Sequence, residues 1–269
     1  MTWRPDPGWT PLTAGTGQAT GGVWRTSSGT VVKRLVPGVA DPRHHAYWER
    51  QALVAESGIV ARTPGLRAPA TLGVERDADG ITLRMAEVSA SDWAPEALAE
   101  ALGRFAACSV AEPAWGARNV LRDRLTTVER RGGWSSLGAL STPAIEELWN
   151  RRGAALQLLD GLPRVPTHGD AHPVNLLGRD GDDVIAIDWE QFGLGPAGFD
   201  LGYLLLATDA PLDDLVAAYG GGRSGAVLVA AYTGVSRAAW AVDQPDPSEH
   251  LRRLAQLATT VEEGLELVT

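Results

Sequence analysis

Between Thr167 and Asp200 the chain reads T-H-G-D-A-H-P-V-N-L-L, then V-I-A-I-D-W-E after a short gap, then P-A-G-F-D-L. Three polar positions, Asp170, Asn175 and Asp188, stand among short apolar runs, and this pattern constrains the fold more than any other stretch. Leu176-Leu177 and Val184–Ile187 read as two short buried strands joined by a turn at Arg179–Asp183. A hairpin of that kind brings Asn175 and Asp188 to neighbouring strand ends, with Asp170 on the loop just before. Hard cations such as Mg²⁺ take oxygen ligands, usually one or two from the protein and more from phosphate. One amide and one carboxylate therefore suit a metal–nucleotide site and leave Asp170 to face an attacking hydroxyl.

Simpler readings compete with this one. Asp170 could cap a helix, and Asn175 and Asp188 could each be turn residues. His168, Asp170 and His172 could form a transition-metal cluster, which would predict bound zinc and a hydrolase active without nucleotide. That cluster lacks support, since the other histidines are His44, His45 and His250, and Cys108 is the one cysteine. The metal–nucleotide reading also gains from the lysine count. Of 24 Lys and Arg residues, Lys33 is the only lysine. It lies in T-V-V-K-R-L, a β-branched strand pattern, and a compact, flexible ammonium is not equivalent to a guanidinium where phosphate oxygens must be reached. Just upstream, Gly15, Gly17, Gly21 and Gly22 would let a turn lie close over phosphates with its N–H groups offered as donors.

H-G-D-x-x-x-x-N followed by I-D-W resembles the catalytic and metal-binding segments of the aminoglycoside phosphotransferase and choline kinase family, relatives of the protein kinases. The resemblance runs from about Leu12 to about Leu205. It implies an α+β, two-lobed protein-kinase-like fold: a small antiparallel sheet with one helix over residues 1–87, and a larger, mostly helical catalytic and substrate-binding lobe over 88–269, with a hinge in Ala86–Trp93. It implies ATP, with GTP possible, and Mg²⁺. By the same resemblance Asp170 is the catalytic base, Asn175 and Asp188 hold the metal, and Lys33 grips the phosphates. Gly15 and Gly17 belong to the phosphate loop, and the backbone of Glu87 and Val88 meets the adenine edge. Glu49, in W-E-R-Q-A-L, resembles the helix glutamate that orients the lysine. Glu56 shares its helix face, so periodicity does not choose between them. His168 and Asp200 brace the catalytic loop.

Periodicity supplies the remaining elements: a helix from Asp41-Pro42 to Ser57-Gly58, strands at Thr71–Val74 and Ile81–Met85, and helices at Ala97–Val110, Asn119–Arg131, Pro143–Leu159, Leu212–Tyr219, Gly225–Ala241 and Pro247–Val268. A net charge of −9 argues against nucleic acid and anionic membranes as partners, and leans toward a cationic acceptor. Asp209, Asp213, Asp214, Glu262, Glu263 and Glu266 are the acids available to a polyamine-like substrate. A lone cysteine fits a reducing compartment, the N-terminus lacks a signal-peptide core, and Ala226–Val235 is too short to span a bilayer. The expectation is a cytoplasmic protein, a monomer or weak dimer. Its expected function is ATP-dependent phosphorylation of a hydroxyl on a small molecule, either an aminoglycoside-like antibiotic or a hydroxylated metabolite. Choline, homoserine, a fructosamine or another sugar-like metabolite are the alternative acceptors. A non-catalytic kinase-like scaffold is the reading from another class, and it sits poorly with a chain that keeps Lys33, Asp170, Asn175 and Asp188 together.

Overall fold

The β-branched run around Lys33 forms the middle of a sheet. The computed structural model describes residues 3–12 and 19–269, so Gly15 and Gly17 lie outside the described residues. The small lobe contains β1 (Thr10–Pro11), β2 (Thr20–Arg25), β3 (Thr30–Leu35), α1 (Arg50–Ser57), β4 (Leu66–Arg67), β5 (Thr71–Asp77) and β6 (Gly80–Ala86). Five of these strands make one sheet in the order β1-β2-β3-β6-β5, with every pairing antiparallel. Its own core is small, built on Leu35, Ala52 and Ile81. Trp3, Trp9 and Trp24 cluster with ring centroids 5.3–6.5 Å apart, and Arg34 and Arg84 stack on Trp3 and Trp9. The Trp-containing lead thus packs across the sheet, adding only the two-residue strand β1.

The rest is mostly helical: α2 (Pro95–Ala106), α3 (Val120–Arg130), α4 (Pro143–Asn150), α5 (Arg152–Asp160), β7 (Arg164–Thr167), β8 (Leu176–Asp180), β9 (Asp183–Ala186), β10 (Gly193–Pro196), α6 (Phe199–Leu205), α7 (Leu212–Tyr219), α8 (Arg223–Ala241), α9 (Ser248–Gln256) and α10 (Ala258–Leu267). Strands β8 and β9 form the expected hairpin, β4 adds to β9 in parallel, and β7 pairs with β10. Val54, Val60 and Leu66 belong to the same core as the helices, so the large core reaches under α1 and β4. The axis of that core is α8, buried along most of its length because it is apolar nearly all round. No helix is long and apolar enough to cross a membrane.

Several boundaries differ from the sequence reading. The helix expected from Asp41-Pro42 begins only at Arg50, and the residues before it are turns. Arg50 explains the difference. Fully buried, it donates all five of its N–H bonds to carbonyls: Pro42, His44, His45, Trp115 and Glu190, at 2.7–2.9 Å. Three of those carbonyls lie in the segment that periodicity gave to the helix, and they curl around the guanidinium. The expected Pro247–Val268 helix breaks at Leu257, which is buried against Gly234 of α8; a Cβ at Gly234 would lie 2.4 Å from the Leu257 side chain. The Pro143–Leu159 helix breaks at Arg151, and α2 ends at Ala106, leaving Cys108 beyond it. Hydrophobic spacing is continuous through such one-residue kinks and does not reveal them.

Candidate active site

The loop after β7 is held by two buried side chains. Asp200, in the first turn of α6, accepts the backbone N–H groups of His168 at 2.7 Å and Gly169 at 2.9 Å. Burial pushes its carboxyl above the usual carboxylate range, against the opposing pull of these bonds and of His168. His168 is fully buried against Trp189, ring centroids 4.7 Å apart. Its Nε2 lies 2.8 Å from the Ile187 carbonyl, and the Asp170 N–H lies 3.3 Å from its Nδ1. A carbonyl only accepts and an amide N–H only donates, so the ring is the Nε2–H tautomer. Both nitrogens are engaged, which removes His168 from any metal cluster. The three ligand-type side chains close enough together to share an ion, among the described residues, are instead His44, His45 and Asp123. Gly169 has φ +84°, and a Cβ there would fall 2.5 Å from the Gln191 carbonyl; only glycine lets the loop turn here.

Asp170, Asn175 and Asp188 converge as the hairpin predicts. Asn175 donates Nδ2 to the Asp170 carbonyl at 2.9 Å and to Asp170 Oδ2 at 3.2 Å. That leaves its Oδ1 to act as a ligand. Asp170 Oδ1 has no hydrogen-bond partner. Asp188 sits at φ 63°, ψ 51°, the only non-glycine residue with positive φ among the described residues. Left-handed backbone outside glycine is uncommon, is best tolerated by asparagine and aspartate, and clusters at functional sites. Lys33, buried on β3, donates Nζ to Asp188 Oδ1. The lone lysine therefore meets the acidic cluster across the lobes. Oxygen donors from a carboxylate and an amide, with a buried cation already paired to the carboxylate, fit a hard metal ion beside phosphates.

Glu49 is not where the resemblance put it. It stands at the N-cap of α1, accepts a hydrogen bond from Tyr47 Oη at 3.1 Å and lies 3.9 Å from Arg76. Glu56 pairs with the same Arg76. Both acids face β5, and Asp188 takes the lysine. The side chain of α1 that lines the cleft is Gln51, buried, with its Oε1 unpartnered. In the hinge, the Glu87 N–H is engaged by the Gly29 carbonyl at 3.3 Å, and the Glu87 carboxylate pairs with Arg25 at 2.5 Å. Val88 packs over Gly178 of β8, where a Cβ would come within 2.5 Å of it.

A cavity of about 430 Å³ opens between the lobes, with Asp170, Asn175, Asp188, Glu190, Trp48 and Gln51 in its wall. Glu190 is held above the usual carboxylate range by burial, against the pull of Lys33. Arg124 and Arg237 complete the wall. The sequence reading missed both, as well as Arg50 and Gln51. Arginine is abundant in this chain: on the amphipathic α3 it reads as a solvated face, and after the apolar run of α8 it reads as the end of that run. None of Asp209, Asp213, Asp214, Glu262, Glu263 or Glu266 lines the cavity.

The sequence profile of the phosphotransferase enzyme family matches residues 9–236. The chain belongs to that family. No curated protein sequence matches the phosphotransferase significantly. Among solved structures, a choline/ethanolamine kinase family protein from Mesorhizobium loti superposes with a TM-score of 0.62 at 18% identity, covering 96% of this chain and 92% of its own. A spectinomycin phosphotransferase, APH(9)-Ia, in complex with ADP and spectinomycin, gives 0.58 at 11% identity, covering 95% and 92%. The choline kinase LicA from Streptococcus pneumoniae gives 0.57 at 14% identity, covering 94% of each chain. These likenesses establish the two-lobed kinase-like fold over nearly the whole molecule, and the family makes the chain a small-molecule phosphotransferase.

Proposed function

We propose that this phosphotransferase moves the γ-phosphoryl group of Mg·ATP to a hydroxyl of a small molecule in the cytoplasm. Residues 1–87 carry the nucleotide, and 88–269 supply the catalytic and acceptor-binding groups. The observation that carries the reading is the meeting of Asp170, Asn175 and Asp188 in one interlobe cavity, with the lone Lys33 bonded to Asp188 from behind its wall.

Catalysis of phosphoryl transfer is mainly positioning and charge neutralisation. Asn175 holds Oδ2 of Asp170, which leaves Oδ1 to orient the hydroxyl and accept its proton late in the transfer. Asn175 Oδ1 and the Asp188 carboxylate would hold Mg²⁺, which spreads the charge developing on the phosphate oxygens. Lys33 neutralises Asp188 and would offer its ammonium to the phosphates of a bound nucleotide. The Val88 N–H, free of protein acceptors among the described residues, is offered to the adenine edge. His168 and Asp200 hold the loop beneath, which fixes Asp170 before substrate arrives. The spectinomycin phosphotransferase of the same fold, in complex with ADP, supports a nucleotide as the donor.

Asp170→Asn keeps the shape of the site and removes the base. The expected loss in kcat is about 10²–10⁴-fold, with Mg·ATP affinity measured by calorimetry unchanged. Full activity in this variant would refute the assignment.

A further inference from the structure

The cavity wall on the acceptor side is cationic. Arg124 from α3 and Arg237 from α8 both lie over Tyr203, their guanidinium carbons 5.0 and 5.3 Å from the ring centroid. Both approach Asp170 Oδ1, the oxygen without a hydrogen-bond partner, at 3.9 and 3.7 Å. Those separations are charge contacts and too long for hydrogen bonds. Arg124 donates once to a side chain, Gln191 Oε1 at 2.7 Å. The Arg237 guanidinium makes no hydrogen bond to any described residue, and Asp170 is its only acidic neighbour among them.

A guanidinium carries five donors in a planar fork that matches carboxylate or phosphate two-pronged. Here two such forks stand side by side, partly withdrawn from water and sharing one carboxylate. Of the other acids of the cavity, Asp188 is paired with Lys33, and the burial of Glu190 is opposed most strongly by Lys33 and only weakly by Arg124. Burial lowers Arg124 to about 10 and lowers Arg237 as well, with Asp170 pulling the other way in both. Paired, desolvated cations with unused donors call for an anion.

We propose that the acceptor is itself an anion, a small molecule with a carboxylate or phosphate close to the hydroxyl that is phosphorylated, held by Arg237 and Arg124 with that hydroxyl at Asp170 Oδ1. The inference rests on the phosphotransferase reading and names its acceptor class. In the transfer, the acceptor oxygen forms its bond to the γ-phosphorus as the bond from that phosphorus to the bridging oxygen breaks. The bridging oxygen leaves on ADP with the bonding pair, and the hydroxyl proton passes to Asp170. The acidic net charge of the chain pointed to a cationic acceptor; the local charge of the cavity reverses that expectation.

The test uses the full chain and two separate readouts. Thermal shift without nucleotide compares gluconate, glucose 6-phosphate, glucose, choline and kanamycin at matched ionic strength. Phosphoryl transfer from Mg·ATP is then measured over a wider panel of hydroxy acids, sugar phosphates, polyols and aminoglycosides. The expected result is stabilisation by gluconate or glucose 6-phosphate, whichever anionic group fits, and transfer confined to that class. Arg237→Met should weaken anion binding about 10- to 100-fold, while Mg·ATP affinity stays within twofold. Arg237→Lys, which keeps the charge and loses the fork, should fall between, and an unchanged Tm shows that both variants fold. Transfer to choline or kanamycin that Arg237→Met leaves intact would overturn the proposal. So would the absence of stabilisation by either anion, or loss of basal ATP hydrolysis in Arg237→Met with anion binding intact, which would place the guanidinium on the γ-phosphate. Failure of the wild-type chain to bind Mg·ATP would strike the phosphotransferase reading instead, and the nucleotide-free anion result would stand apart from it.

Discussion

The two walls of the cavity are built by opposite strategies. The nucleotide wall draws Asp170, Asn175 and Asp188 from one short stretch of chain, adds Lys33 from the sheet, and fixes them with a left-handed Asp188 and a glycine-only turn. The acceptor wall draws Arg124 and Arg237 from helices far apart in sequence and joins them through packing on the buried Tyr203 and a shared approach to Asp170. The first is local and carries acids around a single lysine. The second is assembled by tertiary structure and carries cations. A chemistry shared by a whole fold needs the first kind of wall, because any displacement of base or metal ligand is costly in rate. Acceptor choice can rest on the second kind, where a single side chain on a rigid helix changes what is held without touching the catalytic loop.

The largest effect should come from cutting the nucleotide wall. Asp188→Asn removes the carboxylate that Lys33 and the metal share. A loss of about 10²–10³-fold in kcat/KM is expected, the scale of one displaced electrostatic group, with Mg·ATP affinity weakened in parallel. Anion stabilisation without nucleotide should be unaffected. An Asp188→Asn chain that lost anion binding instead would show that the two walls are one unit, and the comparison would collapse.

The difference in construction also decides what could be read in advance. Asp170, Asn175 and Asp188 were legible because a hairpin converts sequence spacing into proximity, and the turn that joins its strands falls where the polar residues said. Lys33 was legible because it is the only lysine and lies in a strand pattern. The two arginines were not, since Arg124 is one of several arginines on α3 and Arg237 merely follows the apolar run of α8; their meaning comes from Tyr203 and from the one carboxylate between them. Glu49 failed for a related reason. Helical periodicity was extended back to Asp41, but the Arg50 guanidinium takes the carbonyls that a helix would have used, so Glu49 falls at the N-cap and turns toward Tyr47 and Arg76. Long-range polar contacts of this kind leave no trace in hydrophobic spacing.

Arg50 is the place where the two walls are tied together. Its five carbonyl partners span the loop before α1, Trp115, and Glu190 two residues beyond Asp188. Burial lowers it to about 10, and it has carbonyls where most buried guanidiniums have a carboxylate. Arg50→Lys supplies three donors without the planar fork. The expected cost is about 3 kcal/mol, or a fall in Tm of roughly 6–12 °C for a chain of this size, read by calorimetry. Affinity for Mg·ATP and for the anionic acceptor should decline together. A variant that lost only one of them would show that Arg50 supports one wall alone.

The smallest expected effect is also the sharpest test of where the boundary lies. Glu190 stands between the walls, with burial pushing its carboxyl up, Lys33 and Arg124 pulling it down, and Asp188 and Asp170 pushing it up further. A carboxyl raised in the folded state binds its proton more tightly there than in the unfolded chain. Its contribution is fully present below the ordinary carboxylate range and is lost as pH rises through the folded value, because the folded protein must then ionise a buried group. Gln cannot ionise and keeps the shape. Glu190→Gln should therefore raise Tm at pH 8 by about 2 °C and leave it unchanged near pH 4, where the wild-type side chain is neutral as well. A lowered Tm at pH 8 would mean that attraction to Lys33 outweighs burial, which would put Glu190 with the nucleotide wall. In that case Mg·ATP affinity should fall in the same variant, whereas a gain in anion affinity would put the carboxylate opposite Arg124 and on the acceptor side.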